Sequence, residues 1–302
     1  MEDKEKLDVL IIGGSYAGLS AALALGRSLR NTLIIDSGMP CNRQTPHSHN
    51  FLTQDGKTPE AIATLARQQV EQYETVRFHP GRAIRGEKTS EGFKIETQAG
   101  DTFIAKKLIF ATGIKDQIPA IPGFAACWGI SVIHCPYCHG YEYKNQPTGI
   151  LANGEAAMHY ASLVNNLTPN LTIFTKGPST FTGEQLRQLD RHNIPVVETE
   201  VVAFEHREGY IDRVVLQDHA SVPIQALYAS IPFVQHSDIP ASLGCTLTEE
   251  GRIETDSFQQ TTVPGVFACG DNASKMRSVA GAVASGNLAG AMANSKLTGE
   301  QF

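Results

Sequence analysis

The stretch DVLIIGGSYAGLSAALALGRSLRNTLIID, residues 8–36, decides the fold. Its first five residues form an apolar run of strand length, suited to burial on both faces. A turn at Gly13-Gly14-Ser15 follows, and then a segment rich in alanine and leucine that reads as a helix. TLIID gives a second buried strand that ends on an acid, Asp36. Strand, tight turn, helix, strand and terminal acid make the phosphate-binding half of a dinucleotide fold. Gly13 permits the tight turn, the helix start offers unpaired amides to a pyrophosphate, and Gly18 lets the helix close on the strand. Asp36 is placed for ribose hydroxyls. Gly13, Gly14, Ser15, Ala17, Gly18 and Asp36 are the expected contacts. Ser15 stands where GxGxxG has its middle glycine, a small departure.

Outward from this unit, FKIET, the turn AGD and TFIA alternate as a hairpin does, and KKLIFATG is a buried strand that ends in a small-residue turn at Thr112-Gly113. The same plan then recurs. PTGILANGEAAMHYASLV repeats strand, turn and helix; LTIFTKG is its second strand, VVAFEHREGYIDRVVLQD its meander and ALYASIPF its closing strand. An internal duplication with two nucleotide sites is expected. The second copy is worn. Its turn reads Ala152-Asn153-Gly154, and its second strand ends in Thr175-Lys176-Gly177 rather than an acid. Gly154 and Lys176 are its candidate contacts, Lys176 towards a 2′-phosphate, although a solvated lysine is the commoner role for that position. Near the C-terminus, TTVPGVFACGDNAS delivers Gly270-Asp271 to a turn, and Ser278-Val279 open a helix poor in bulky residues. An Asp so placed suits a sugar-alcohol chain, and the helix start suits a phosphate.

The chain has 302 residues, 41% apolar and 19% charged, with a formal net charge of −6. That is long enough for one large or two medium domains, and it gives no basic footprint for nucleic acid. MEDKEK opens with mixed charges and leads into an apolar run of only strand length, unlike a leader peptide. No apolar run approaches a membrane span. A cytoplasmic protein is expected.

Cys135 and Cys138 lie in HCPYCHGYE, residues 134–142. Zinc would need four ligands, and no second CxxC supplies them, so no metal site is expected. A structural disulfide is out of place in a reducing compartment. Two intervening residues bring the sulfurs within bonding reach, and a helix start with a nearby cation favours a thiolate. The pattern points to redox chemistry.

Taken together, GGSYAGL, the ATG turn at 111–113, the CxxC and TTVPGVFACGD resemble, in order and over nearly the whole length, the low-molecular-weight thioredoxin reductases, FAD-dependent pyridine-nucleotide disulfide oxidoreductases. The resemblance implies an α/β fold with two Rossmann-like, three-layer ββα domains. A discontinuous FAD domain would take residues 1–116 and 246–302, and an inserted NAD(P)H-type domain carrying the CxxC would take 117–245. It implies FAD as cofactor, NADPH as electron donor, thioredoxin or a small thiol or disulfide as partner, and a homodimer. It places Asn50, in HNFL, beside the flavin, turns Cys138 towards the flavin, and gives Cys135 the mixed disulfide with substrate.

Two departures stand out. His139 replaces the usual Asp after the second cysteine; a histidine is suited to the same acid–base task, with Glu142 to assist or orient it. This CHGYE form resembles a subgroup of gliotoxin and holomycin dithiol oxidases. FTKGPST stands in place of the basic motif for the NADPH 2′-phosphate. The segment CNRQTPHSHNFLTQDG, with Arg43, His47 and His49, also differs, and is expected near the flavin as part of a substrate pocket. The leading reading is a thioredoxin reductase-like flavoenzyme with NADPH as donor; the alternatives are a dithiol oxidase that passes electrons to oxygen, a ferredoxin-fed enzyme, and a non-catalytic flavoprotein with a silent nucleotide site.

Overall fold

The computed structural model describes residues 7–302; the mixed-charge start, 1–6, lies outside them. The described residues divide into two compact units. One takes the chain up to Arg43, then Phe51–Lys115 and Phe233–Phe302; the other takes Gln44–Asn50 and Asp116–Pro232.

In the first unit the apolar run Leu7–Ile12 is a strand, buried at every position but Asp8. It pairs in parallel with Thr32–Asp36 on one side and Thr102–Phe110 on the other, and Val76–Pro80 extends the sheet past Thr32–Asp36. Thr102–Phe110 shares out its other edge. Its first half carries the antiparallel hairpin of Ala83–Thr89 and Gly92–Thr97; its second half pairs in parallel with Val266–Ala268. Register sets Ile12 beside Phe110, and Phe110 beside Ala268, so three parallel strands finish in one row. Turns holding Gly13, Gly113 and Gly270, all at positive φ, follow that row directly. Ligands of open α/β sheets bind at this edge.

Alternate residues of the central strand feed two cores, as a strand buried on both faces requires. Val9 and Ile11 join Leu25, Ile34 and Phe267, whereas Leu10 and Ile12 join Phe93, Ile95 and Phe110. Helices Tyr16–Arg27 and Val279–Gln301 pack over the first of these faces. They approach closely because the facing positions are small. A Cβ at Gly286 would stand 2.1 Å from the Ala17 carbonyl oxygen, and one at Gly290 2.4 Å from that of Ala21. The four-residue spacing on both helices keeps these pairs on one stripe. Ser20 Oγ adds a 2.7 Å hydrogen bond to the Val283 carbonyl.

The chain re-enters this unit at Phe233, ahead of the boundary near 246 expected from sequence. Ile239 and Cys245 explain the difference, since both are buried in the core that holds Phe93 and Ile95. Gly86 leaves the space for Ile239: a Cβ there would lie 2.5 Å from Ile239 Cγ2. A four-residue helix, Ile239–Ser242, is too short to show a periodic signal.

The second unit repeats the plan. Its parallel sheet runs in the order Val196–Val197, Leu171–Phe174, Thr148–Leu151, Ala226–Ala229, Val132–Ile133. A three-stranded antiparallel sheet, Val201–Arg207, Tyr210–Leu216 and Ser221–Pro223, packs on it through Phe204, Ile211 and Val214. Helix Gly154–Val164 packs on it through Ala157, Ala161 and Val164. The fold is α/β with two Rossmann-like units, as expected. Among the described residues no helix is long and apolar enough to cross a membrane.

Candidate redox site and cofactor cradle

The cradle in the first unit is built on the strand row. Gly14 N–H donates to Asp36 Oδ1 at 3.0 Å, tying the first turn to the acid at the end of the second strand. A Cβ on Gly14 would lie 2.8 Å from Asp36 Cβ, and one on Gly18 would lie 1.8 Å from the Gly13 carbonyl oxygen. Ser15 caps the helix by backbone conformation alone, without a side-chain hydrogen bond, so the amides of Ala17 and Gly18 keep their donors for a ligand. Asn272, fully buried, joins two of the three turns: its amide donates to the Phe110 carbonyl at 2.8 Å and to Thr112 Oγ1 at 3.2 Å, while Oδ1 is buried without a partner. The Asp271 carboxylate faces Arg277 Nε at 3.5 Å, and Arg252 donates to the Asp271 carbonyl at 2.8 Å. Ser278 Oγ accepts from Gly281 N–H and so starts the last helix, with Val279 its first residue. Nothing within 4 Å would meet a Cβ on Gly113, so open space adjoins the row. Gly13, Gly14, Ser15, Ala17, Gly18, Asp36, Thr112, Gly113, Gly270 and Asp271 thus share one strand edge. Asn50 does not join them in this unit; at φ +58 it ends the segment Gln44–Asn50 of the other.

In the second unit strand Val132–Ile133 runs directly into the CxxC. Cys135 and Cys138 form a disulfide, with Cα atoms 5.3 Å apart across the one-turn helix Pro136–His139. Pro136 starts the turn at the position where a missing N–H costs nothing. Gly140 keeps the turn tight: a Cβ there would meet the Pro136 carbonyl oxygen at 2.3 Å and Leu167 Cδ1 at 2.5 Å. Tyr160 Oη donates to the His134 carbonyl at 3.1 Å, pinning the residue before Cys135.

Burial holds His139 below the ordinary histidine value, against the opposing pulls of a hydrogen bond to the His47 backbone and the Glu142 charge. Its Nε2 is buried and has no hydrogen-bond partner. A neutral imidazole with an unpaired nitrogen is equipped to take a proton from a thiol. Glu142 does not contact it directly; its Oε1 lies 3.4 Å from His49 Nε2. His49 in turn stands edge-on to His139, ring centroids 6.3 Å apart at 89°. A depressed histidine makes the folded state most stable above the unfolded value of about 6.5, and that contribution is lost as pH falls through the folded value. His139→Gln is therefore expected to flatten the acid side of a plot of melting temperature against pH from 7 to 5. An unchanged slope would show that His139 is not held neutral.

The worn turn of the second unit is filled by the chain itself. Asn153 Oδ1 accepts from Gly154 N–H at 2.9 Å, from Thr180 N–H at 2.9 Å and from Thr180 Oγ1 at 3.2 Å, while its amide donates to the Pro178 carbonyl at 3.0 Å. Nearby, Glu198 Oε1 accepts from Ser179 N–H at 2.9 Å. Lys176, at φ +54, is partly desolvated, which pulls its ammonium below the usual range against the opposing charge of Glu200. The loop after the second strand is thereby stitched to the turn after the first, where a pyrophosphate and ribose would lie. These residues do not fit a 2′-phosphorylated nucleotide.

A paired dinucleotide fold with a disulfide at a strand end is the architecture of a flavin-linked disulfide oxidoreductase. The model of the pyridine nucleotide-disulphide oxidoreductase family matches residues 7–286, and the chain belongs to that family. It is 34% identical to thioredoxin reductase tcpT of Claviceps purpurea, over 98% of this chain and 96% of that one. Among solved structures, an oxidoreductase from Agrobacterium tumefaciens shares 39% identity at a TM-score of 0.91, covering 97% of this chain and 99% of that chain. A putative thioredoxin reductase from Bacillus anthracis shares 29% at 0.93, covering 98% and 100%. The chain is a thioredoxin reductase-like FAD flavoenzyme, and the family implies FAD as cofactor and NADPH as the usual donor. The first-unit cradle fits FAD: the turn has no room for a Cβ, the helix start keeps its donors, and Asp36 sits beside it.

Sequence reading did not find Asn272, Thr180 or the pairing of His49 with Glu142. A GDN tripeptide after a buried strand is a signal for the first; the others depend on loop geometry between distant segments.

Proposed function

We propose that this protein oxidises a dithiol substrate through the Cys135–Cys138 disulfide, with His139 as the acid–base group. The observation that carries this reading is the disulfide at a strand end beside a half-buried imidazole whose Nε2 is buried and unpaired. A substrate thiolate attacks Cys135 Sγ, a new S–S bond forms, and the Cys135–Cys138 bond breaks to release the Cys138 thiolate. The second substrate thiol then attacks its own sulfur in the mixed disulfide. Substrate leaves as a disulfide, both cysteines are reduced, and two electrons and two protons have been transferred. His139 takes a proton as each thiol becomes a thiolate. Bound FAD supplies the two-electron carrier that restores the disulfide, with dioxygen or another acceptor as final oxidant. Gly13, Gly14, Ser15 and Gly18 would receive its pyrophosphate, Asp36 its ribose, and Asp271 its sugar-alcohol chain.

All thiol–disulfide steps are reversible, so the electron source sets the direction. The filled turn at Asn153 and Thr180 favours a dithiol over a nicotinamide nucleotide. The substrate is a small dithiol, or a thioredoxin if electrons flow the other way. Family resemblance supports a homodimer, and a CxxC with three further buried cysteines suits the reducing cytoplasm.

Anaerobic stopped-flow mixing of the holoenzyme with dithiothreitol, NADPH or NADH tests the direction. The dithiol is expected to bleach the flavin band, and either nucleotide to do so slower by about tenfold or more, the factor that 1.4 kcal/mol of lost binding gives. Bleaching by NADPH as fast as by dithiol would restore the reductase reading.

A further inference from the structure

We propose that His49 and Glu142 act as an opposed pair that sets the proton affinity of His139, making His49 a positioning residue for the exchange chemistry. The proposal rests on the reading of Cys135–Cys138 as the redox pair.

The segment Gln44–Asn50 is remote in sequence, yet it is built onto the CxxC. Thr45 and Ser48 are buried. Gln44 Nε2 donates to the Trp128 carbonyl at 3.4 Å, and Gly129 leaves the room, since a Cβ there would stand 2.9 Å from that nitrogen and 3.2 Å from Thr45 Oγ1. From this anchored segment the His47 backbone holds the His139 ring, and His49 presents its own ring edge-on to it. The 3₁₀ turn Tyr141–Tyr143, next along the chain from His139, brings Glu142 Oε1 to 3.4 Å from His49 Nε2.

The charges around His139 are few. The Gln44–Asn50 segment contributes His47 and His49, and the 3₁₀ turn contributes Glu142 and Tyr143. Tyr228 comes from strand Ala226–Ala229, its Oη close to Gly140, and Tyr160 from helix Gly154–Val164 packs against Tyr228. Burial pushes the Tyr143 hydroxyl up to about 12 and raises that of Tyr228, so both stay neutral through the working range. Glu142 is therefore the one anion of this set, and it favours a proton on His139, while the His49 ring between them opposes it. Each partner offsets the other. Tight coupling keeps the His139 proton affinity low enough for a base, yet recoverable when a thiolate must be reprotonated.

A scaffold role would make loss of either residue damaging in the same sense. The opposed pair predicts shifts of opposite sign. His139 is titrated by NMR of its ring protons in the oxidised holoenzyme, in the wild type, His49→Gln, Glu142→Gln and Glu142→Asp. The rate of flavin bleaching by dithiothreitol is followed against pH in the same proteins. His49→Gln is expected to raise the His139 midpoint, Glu142→Gln to lower it, each by roughly 3- to 10-fold in proton affinity, half to one pKa unit. Glu142→Asp, which keeps the charge, should stay near the wild type and reports on the pair should Glu142→Gln misfold. The bleaching profile should move with the NMR midpoint. Shifts in one direction for both, or no shift, would overturn the proposal. If the wild type is not bleached by dithiol at any pH, the redox reading fails, while the NMR titration still decides the fate of the pair.

Discussion

Cys138→Ser is expected to remove dithiol turnover entirely, a loss on the order of 10³-fold or more, while the protein stays yellow. Serine cannot close the S–S bond, so no route remains for a two-electron exchange, and losses of essential nucleophiles are of this size. The residues that build the cradle for FAD belong to the other unit, so flavin content should be unaltered. The same variant tests which sulfur meets the substrate. With Cys138 gone, an activated substrate disulfide should leave one substrate on Cys135, trapped as a mixed disulfide and visible in the intact mass. Cys135→Ser should give no such adduct. Cys41 is the exposed thiol outside the pair, so both variants are made with Cys41→Ser; Cys127, Cys245 and Cys269 are buried, and burial pushes their thiols up and out of reach. Turnover in Cys138→Ser would sink the dithiol mechanism, and an adduct on Cys138 instead would reverse the roles of the two sulfurs.

Gly18→Ala is expected to have the largest effect on the fold and on flavin content together. The added Cβ would lie 1.8 Å from the Gly13 carbonyl oxygen. That atom is backbone in the tight turn and has no side-chain freedom by which to yield. The helix Tyr16–Arg27 would have to lift from the sheet by an ångström or more, and overpacking of this kind costs about 1–3 kcal/mol or more. The helix start and Asp36 would part by a similar amount, taking the cofactor contacts with them. The expected result is protein purified largely without flavin and with a lowered melting temperature. Gly299→Ala is the control. It stands in the helix Val279–Gln301 with nothing within 4 Å and no positive φ, so it should stabilise by about 0.4–1 kcal/mol through the unfolded state. A flavin content for Gly18→Ala equal to that of the control would show that the turn does not set the cradle.

What the sequence made legible, and what it hid, divide along physical lines. The stretch 8–36 could be read because strand, turn and helix follow one another and each carries its own periodicity. The second copy was readable for the same reason, down to the worn glycine at Ala152. The CxxC was readable because its chemistry depends on a spacing of two residues. His49 is different. It lies about ninety positions from His139, in a segment with no period, and only the tertiary fold places it with the CxxC. Asn153, next to that lost glycine, drew no reading from sequence; its hydrogen bonds to Thr180, 27 residues on, show an active closure of the turn. The return at Phe233 was hidden because Ile239–Ser242 is a single helical turn whose burial depends on space left by Gly86.

The stripe of small residues between the first and last helices has a consequence for biogenesis. Ala17 and Ala21 wait for Gly286 and Gly290, and the strand Thr102–Phe110 waits for Val266–Ala268. On a ribosome, the insertion at 116–232 emerges before any of these partners, and it is a compact unit of its own. It is free to fold while the amino-terminal half of the flavin unit stands exposed and incomplete. Flavin capture becomes a late event, completed only when the helix Val279–Gln301 has emerged, and a nascent chain stopped before it would carry a folded redox disulfide with no flavin to serve it.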